Sequence, residues 1–287
     1  MTRNIIWFVL LTLSALMNSG CAMFSDFFSE DTQEPHSPIT SFEEEFNNKR
    51  VWSTDTGAGS GKRHLKLAPA VTDSKIFVAD HQGRVQAINP ETGDRLWDVE
   101  TKKSISAGPG AGGGLVLVGT RNAEVLALSM SDGKELWRTS VSSEVLSIPK
   151  VSAGVVIVRT GDGRIRALDV SSGKRLWIYD RSQPVLTLRG NSSPAVTPEL
   201  GLVGYDNGKL AALILQDGRL IWESTIAAPR GRSELERIVD IDGDPVIRDG
   251  IVYIVSYQGN VAALELNSGR LLWTRKMSSY AGLDVAD

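Results

Sequence analysis

Short runs of alternating apolar and polar residues fill the chain from about residue 50 to its end. In residues 76–88 the alternation continues on both sides of a Gln82-Gly83 pair. A period of two indicates half-buried strands, and glycine supplies the positive φ of a tight turn, so this segment is predicted to be a β-hairpin. The same pattern recurs at 155–168, 202–213 and 252–264. The second unit instead has Asn122-Ala123, which predicts a different or strained turn.

A tryptophan follows each hairpin, and its spacing identifies a repeat. Successive tryptophans from Trp52 onward lie 45, 40, 40, 45 and 51 residues apart. A period near 40 residues with strand patterning is typical of propeller blades. Each later tryptophan is preceded by a turn glycine: Gly93, Gly133, Gly173, Gly218 and Gly269. A proline precedes each hairpin and is predicted to open a further strand: Pro69, Pro109, Pro149, Pro194 and Pro245.

The predicted fold is therefore an all-β propeller of four-stranded blades. Regular spacing at one phase of the repeat is what packing between blades requires. The residues predicted to pack between blades are Trp97, Trp137, Trp177, Trp222 and Trp273. The alternative for these tryptophans is a ring of aromatic side chains that stack on a ligand.

The N-terminus has the features of an export signal. Arg3 is followed by an apolar run and then by small residues up to Cys21, the only cysteine of the chain. Such a run is short for a membrane span, and a processed signal fits it better than a strand or helix of the fold. The tetrapeptide Asn18-Ser19-Gly20-Cys21 resembles a bacterial lipobox, with Asn18 where leucine is usual. Residues 1–21 are therefore predicted to be a lipoprotein signal peptide ending at an acylated Cys21; a chance cysteine beside an ordinary cleavage site is the alternative.

Two further regions follow the predicted signal. Residues 22–49 are rich in acidic residues and include Glu43-Glu44-Glu45, which predicts a flexible acidic linker, with contact to a basic partner as the alternative. Residues 50–287 are predicted to form a partial β-propeller. The net charge of the chain is −3, and no basic stripe with interleaved aromatic residues occurs, so nucleic-acid binding is not predicted.

Candidate catalytic and metal-binding groups are sparse in the sequence. The glycine-rich run 57–62 suggests a phosphate loop, but Thr56 stands at the position of its first glycine and Arg63 at that of the magnesium-binding serine or threonine. No serine lies on a recognisable nucleophile turn. The histidines have no ligand spacing: His36, His64 and His81. The prediction is therefore no catalytic residue, no metal and no cofactor.

Two connections break the blade rhythm, and loops carry function on rigid scaffolds. In the first, 182–191, Leu186 and Leu188 share a phase and Arg189 follows. These leucines are either anchors for a partner or the buried face of a strand. The second, 227–244, contains Asp240 and Asp242. This acidic pair suggests a cation site, a solvated loop or a salt bridge to a partner, and the last two are favoured.

The repeat phrase from Ala167 to Trp177 resembles the repeats of quinoprotein-type eight-bladed propellers. With its signal and linker included, the whole chain is similar to the BamB family, lipoproteins of the bacterial outer-membrane β-barrel assembly machine. Eight blades of about 42 residues would need roughly 340 residues after the linker. The resemblance therefore implies only about five to six blades here, which form an open arc without the blades that would close the ring. A smaller closed ring is the alternative.

The resemblance also implies a function. Members of this family are non-catalytic scaffolds, held by a lipid anchor at the periplasmic face of the outer membrane, that assist insertion of β-barrel proteins. Their contacts with the POTRA domains of BamA correspond here to Leu186, Leu188, Arg189, Asp240 and Asp242. Unfolded outer-membrane proteins are a further implied partner. The alternative is a quinone-dependent periplasmic dehydrogenase, for which the resemblance predicts adjacent cysteines and an acidic calcium centre; Cys21 is the only cysteine.

Overall fold

The computed structural model describes residues 49–181, 192–229, 238–279 and 281–285. Within these ranges the regular secondary structure is entirely β, and twenty strands form five four-stranded sheets.

The first sheet contains β1 (Ala70–Val71), β2 (Ile76–Ala79), β3 (Arg84–Ile88) and β4 (Arg95–Glu100). The second contains β5 (Ile105–Gly112), β6 (Leu115–Thr120), β7 (Glu124–Ser129) and β8 (Glu135–Ser140). The third contains β9 (Lys150–Ser152), β10 (Val155–Arg159), β11 (Ile165–Asp169) and β12 (Arg175–Tyr179). The fourth contains β13 (Ala195–Val196), β14 (Leu200–Gly204), β15 (Lys209–Ile214) and β16 (Leu220–Thr225). The fifth contains β17 (Val246–Arg248), β18 (Ile251–Val255), β19 (Asn260–Glu265) and β20 (Leu271–Lys276).

Every sheet is an antiparallel meander whose strands follow one another in chain order. The predicted hairpins are confirmed as β2–β3, β10–β11, β14–β15 and β18–β19. The prediction of an all-β fold built from four-stranded blades is therefore confirmed. The sheets are called blades 1 to 5 below, in chain order.

The hairpin turns follow the sequence prediction in four blades and depart from it in one. Ala123, in the turn between β6 and β7, has a φ of 58°, where Gly83, Gly163 and Gly208 hold positive φ in their blades. This non-glycine residue in the left-handed region is the strained turn that the sequence predicted. In blade 5 the positive φ belongs to Gln258, at 47°, and so the expectation that the following glycine would supply it is wrong.

The prolines open strands in four blades but not in the second. β1, β9, β13 and β17 each begin directly after a proline. Pro109 instead lies inside β5, which pairs with β6 through register shifts between Ile105 and Ala107 and between Ala107 and Gly110. Proline cannot donate a ladder hydrogen bond, and irregularities of this kind are where a strand tolerates it.

Each tryptophan before the last is held by the blade that follows it. The indole Nε1 of Trp97 donates to the carbonyl of Met130 at 3.1 Å. The bonds from Trp137, Trp177 and Trp222 are each 2.9 Å long and end on Val170, Leu215 and Leu266. Trp52, which precedes blade 1, makes the same bond to Pro90 at 2.9 Å. Every acceptor lies three residues before the turn glycine of its blade.

The turn glycines provide the space that these indoles occupy. All five have φ between 66° and 77°. A Cβ at Gly93 would lie 2.7 Å from the ring of Trp52, and one at Gly133 would lie 2.8 Å from the ring of Trp97. Any other residue would therefore both strain the backbone and displace the tryptophan of the preceding blade.

An alanine lies opposite every tryptophan within its own blade, a feature that the sequence analysis did not single out. The third and fourth strands pair through Ala87–Trp97, Ala127–Trp137, Ala167–Trp177, Ala212–Trp222 and Ala263–Trp273. In each blade the register shifts directly after this alanine. The small side chain lets the indole lie across the neighbouring strand, and the bulge increases the local twist.

The hydrophobic core lies between neighbouring blades. We call the face of a blade that carries its tryptophan the forward face. The forward face of blade 4 and the opposing face of blade 5 form one cluster, which includes Leu202, Leu210, Ala212, Trp222, Val252, Ile254, Ala262 and Leu264. Three similar clusters join the preceding blades. Blades 2, 3 and 4 therefore each contribute to two cores, one on either face.

The forward face of blade 5 has no such counterpart in the described ranges. Trp273 is 42% exposed, whereas Trp222 at the same position of blade 4 is 9% exposed. The blades described here consequently form a row whose last forward face is uncovered, as in an open arc.

Replacing Trp137 by alanine should lower the free energy of unfolding by about 3–5 kcal/mol, because a buried indole leaves a cavity between blades 2 and 3. Leu136→Ala, on the same strand at a side chain that is exposed, should change it by less than about 0.5 kcal/mol. Urea unfolding followed by tryptophan fluorescence and circular dichroism measures both. Equal effects of the two substitutions would contradict an inter-blade role for Trp137.

Candidate functional site

The predicted partner-binding residues fall in two different parts of the structure. Leu186, Leu188 and Arg189 lie outside the described residues, and so does the predicted lipidation site Cys21. Asp240 and Asp242 are described and lie in the segment that leads into β17.

The residues that follow the first long connection are hydrogen-bonded to the end of the second. Ser192 and Ser193 come directly after the first connection, and the second ends at Gly243 and Asp244. The hydroxyl of Ser192 donates to the carbonyl of Gly243 at 2.9 Å, and the amide of Ser193 donates to Oδ1 of Asp244 at 2.5 Å. The structure therefore brings together the residues that follow the two predicted motifs in the sequence.

The hairpin turn of blade 4, residues 205–208, lies beside Arg181, which precedes the first connection, and beside the described part of the second. The guanidinium of Arg181, where the first connection leaves blade 3, lies 5.5 Å from the ring centroid of Tyr205. The amide of Ile241 donates to the carbonyl of Tyr205 at 3.3 Å. The amide of Ala227, where the second connection begins, donates to the carbonyl of Gly208 at 3.1 Å. One short turn thus contacts the residue before the first connection and two residues of the second.

The acidic pair does not lie in a solvated loop, which is one of the two settings that the sequence favoured. Asp240 is fully buried, together with its neighbours Val239 and Ile241, and Asp242 is half-buried. The carbonyl of Asp240 accepts a hydrogen bond from the amide of Tyr257 at 2.9 Å. This segment is therefore packed into the joint between blades 4 and 5 and not displayed on a free loop.

Two residues at the joint between blades 3 and 4 break the repeat and contact each other. At the position of Tyr205 the other blades have small polar residues: Asp80, Thr120, Thr160 and Ser256. Three of these side chains, those of Asp80, Thr120 and Ser256, accept a hydrogen bond from a backbone amide of their own turn. The side chain of Tyr205 does not do so. At the position of Arg181 the other blades have Thr101, Val141, Ile226 and Met277. Burial raises the pKa of the Tyr205 phenol further above its ordinary value, and its neutral ring is a suitable surface for the Arg181 cation.

A buried ion pair joins blade 3 to the hairpin turn of blade 4, residues 205–208. The guanidinium of Arg159, at the end of β10, contacts the carboxylate of Asp206, and both side chains are 3% exposed. The equivalents of Arg159 are uncharged: Ala79, Gly119, Gly204 and Val255. The sequence analysis missed this pair, and the charged residue at an otherwise uncharged repeat position is the signal that would have found it.

Within the described ranges, no group of three or more histidine, cysteine, aspartate or glutamate side chains is placed to hold a metal ion. The same ranges contain no helix with the length and hydropathy needed to cross a membrane.

The meander blades and their tryptophan contacts define the class of quinoprotein-like β-propellers. A solved europium-containing methanol dehydrogenase is 16% identical, with a TM-score of 0.64 over 79% of this chain and 53% of that chain, which shows the fold alone. The crystal structure of BamB from Moraxella catarrhalis is 27% identical, with a TM-score of 0.70 over 77% of this chain and 67% of that chain.

The sequence comparisons identify the family. A family model described as outer membrane protein assembly factor BamB matches residues 81–287. The protein of that name from Pseudomonas aeruginosa is 53% identical over 270 residues, which are 94% of this chain and 71% of the relative. The one from Alkalilimnicola ehrlichii is 61% identical over 233 residues, 81% of this chain and 61% of the relative. The chain therefore belongs to the BamB family, and it spans 71% and 61% of the length of these two relatives.

Replacing Asp206 by alanine should lower the free energy of unfolding by about 3–5 kcal/mol, because it leaves the buried guanidinium of Arg159 without its carboxylate. The matched control is Asp217→Ala, which breaks the exposed pair between Asp217 and Arg219 and should cost less than about 1 kcal/mol. Urea unfolding measures both. If Asp206→Ala cost no more than the control, the pair would not contribute to joining blades 3 and 4.

Proposed function

We propose that this chain is a non-catalytic scaffold subunit of the outer-membrane β-barrel assembly complex. In this proposal it binds the POTRA domains of BamA through a surface that depends on Leu186, Leu188, Arg189, Asp240 and Asp242, and it assists the assembly and insertion of β-barrel proteins. A lipid on Cys21 holds it at the periplasmic face of the outer membrane. Family membership supports the assembly role, since the relatives carry the name of an outer membrane protein assembly factor.

The observation that carries the docking proposal is the pair of hydrogen bonds from Ser192 to Gly243 and from Ser193 to Asp244. They tie the residues just after the connection that contains Leu186 and Arg189 to the end of the one that contains the acidic pair. Residues that flank two motifs far apart in the sequence thereby meet at one joint, which supports a single binding surface over two separate ones.

The physical roles within that surface differ. Two apolar anchors beside a guanidinium form the type of cluster that dominates interface energy, and each such hot spot contributes about 2 kcal/mol or more. Asp240 is fully buried and therefore does not act as a rim charge in this conformation. Its proposed contribution is to hold the second connection in place, while the half-buried Asp242 supplies charge complementarity.

The competing function, a quinone-dependent dehydrogenase, shares the fold but has less support. The likeness to the methanol dehydrogenase is at 16% identity. The adjacent cysteines that the resemblance to those enzymes implies do not occur, because Cys21 is the only cysteine. Addition of quinone cofactor and calcium, followed by dye reduction with alcohols or sugars, should show no turnover; any cofactor-dependent turnover would overturn the scaffold assignment.

Leu186→Asp and Arg189→Glu should each weaken binding to purified BamA POTRA domains by about 30-fold, the equivalent of a hot spot of about 2 kcal/mol. The affinity is measured by pull-down and by titration, with circular dichroism to show that each variant is folded. Leu96→Asp is the matched control, because it places the same charge on an exposed apolar residue of blade 1.

The control should bind as the unchanged chain does. Retention of full affinity by both loop variants would exclude the proposed contact. Failure of the unchanged, folded chain to bind would remove the docking proposal as a whole.

A further inference from the structure

The outer strands of blade 1 hold one carboxylate among three polar side chains. The carboxylate of Asp98, on β4, accepts hydrogen bonds from Nε of Arg84 at 3.0 Å and from Nε2 of Gln86 at 3.1 Å. It also pairs with Nη1 of Arg95 at 3.2 Å. The hydrogen bond from Arg84 lowers the pKa of Asp98. We call the positions of Arg84, Gln86 and Arg95 the cradle of a blade and that of Asp98 its centre.

Blades 2 and 4 also pair the charge at the centre within their own sheets. Arg138, at the centre of blade 2, pairs with Glu135 at 2.7 Å and with Glu124 at 3.7 Å. Glu223, at the centre of blade 4, pairs with Lys209 at 2.7 Å. The repeat therefore supplies a partner for each of these charges from the strands that present them.

Blade 3 has a basic cradle without an acid at its centre. All three cradle positions are arginines, Arg164, Arg166 and Arg175, and the centre is Ile178. β11 places Arg166 opposite Ile178, which is the register of the same two positions in blade 1. The carboxylate that neutralises the cradle of blade 1 thus has no counterpart in blade 3.

The nearby acids neutralise only one of these three arginines. Arg164 pairs with Asp162 and with Asp180, at 2.9 Å each. The guanidiniums of Arg166 and Arg175 make no hydrogen bond or ion pair in the described ranges, and Nε of Arg166 is buried. Burial lowers the pKa of Arg166, and the charges of Arg175 and Arg164 add to that effect. The cradle therefore carries positive charge that the chain itself does not compensate.

The carboxylate in blade 1 indicates which ligand the cradle of blade 3 fits. Arginine binds carboxylates through charge-assisted hydrogen bonds that are about twice as strong as neutral ones. The exposed Lys174 adds a further charge, so four cations stand against the two acids that pair with Arg164. Ile178 is 39% exposed and offers apolar surface to the aliphatic part of an acidic side chain.

The cradle of blade 3 is also accessible. β12 is the outermost strand of its sheet, and no strand of the described ranges pairs with its outer side. We propose that this cradle binds a carboxylate of an acidic segment of a partner protein, with Arg166 and Arg175 donating to its oxygens and Ile178 packing on its aliphatic part. This contact is separate from the one proposed for Leu186, Leu188 and Arg189, and it does not depend on binding to BamA.

Fluorescence anisotropy of a labelled oligo-glutamate peptide, titrated with the purified full chain, tests the proposal. The peptide should bind, and its uncharged oligo-glutamine analogue should not. Arg166→Gln and Arg175→Gln should each weaken binding by about tenfold, the effect of losing one hydrogen bond between charged groups. Arg121→Gln is the matched control, because it removes the same charge from an exposed, unpaired arginine on the hairpin turn of blade 2, and it should leave the affinity unchanged.

A carboxylate placed at the centre of the cradle should close it. Ile178→Asp should abolish peptide binding, because the new carboxylate accepts hydrogen bonds from Arg166 and Arg175 as Asp98 does from its own cradle. It should also raise the melting temperature above that of Ile178→Asn, which has the same shape without the charge and should keep most of the affinity for the peptide.

The reverse exchange should create a second site. Gln86→Arg combined with Asp98→Ile gives blade 1 the cradle of blade 3, and isothermal titration calorimetry should then show two peptides bound to each chain in place of one. Circular dichroism establishes that each variant is folded.

Three results would overturn the proposal. Equal losses of affinity in Arg166→Gln and Arg121→Gln would show that the peptide responds to diffuse positive charge alone. Inorganic phosphate that displaces the peptide more effectively than free glutamate does would assign the cradle to phosphate groups. A folded exchange variant that binds no second peptide would show that the cradle positions do not define the site. The peptide probe contains no part of BamA, so each of these results leaves the docking proposal to its own test.

Discussion

The contact between the tryptophan of one blade and the turn glycine of the next is the constraint on which the rest of this structure depends. The indole needs a hydrogen-bond acceptor, a residue without a side chain beneath it and a small residue across its own strand pair. Those needs account for the glycine, the alanine and the bulge that recur in every blade. Because each core is shared by two blades, a single blade has no core of its own, and stability accumulates along the row.

A repeat this strict makes its exceptions informative. The joint between blades 3 and 4 contains three of them: Arg159 in an otherwise uncharged position, Arg181 where the other blades have uncharged residues, and Tyr205 where they have small polar ones. None of these changes is needed for the tryptophan contact. They lie where the two long connections meet the blades, so this joint differs from the others at the place where the proposed binding surface is built.

Much of the fold was predictable from the sequence, because spacing and alternation report directly on strands that are shared between two cores. Local irregularities were less predictable from the sequence. Pro109 lies within a strand because register shifts accommodate it, and Gln258 has the positive φ that was expected of Gly259. Asp240 is buried in a segment that contacts Tyr205 through the amide of Ile241 and Tyr257 through its own carbonyl, and these distant partners leave no periodic trace around the acidic pair. The roles of Leu186, Leu188 and Arg189 stay predictions.

Asp244 shows why the proposed binding surface depends on more than one blade. Its carboxylate accepts a hydrogen bond from the amide of Ser193, just before blade 4. The same carboxylate forms an ion pair with the ammonium of Lys66, just before blade 1. The segment that leads into blade 5 is thereby held from two other blades at once. A half-buried pair of this kind gains little from charge alone, since both side chains remain partly hydrated. Its effect is geometric: Ser193, just after the first long connection, and Lys66 are both held on the carboxylate of Asp244, which ends the second connection. The loops proposed to bind a partner are therefore flanked by residues whose positions follow from the tryptophan contacts that set the blade array.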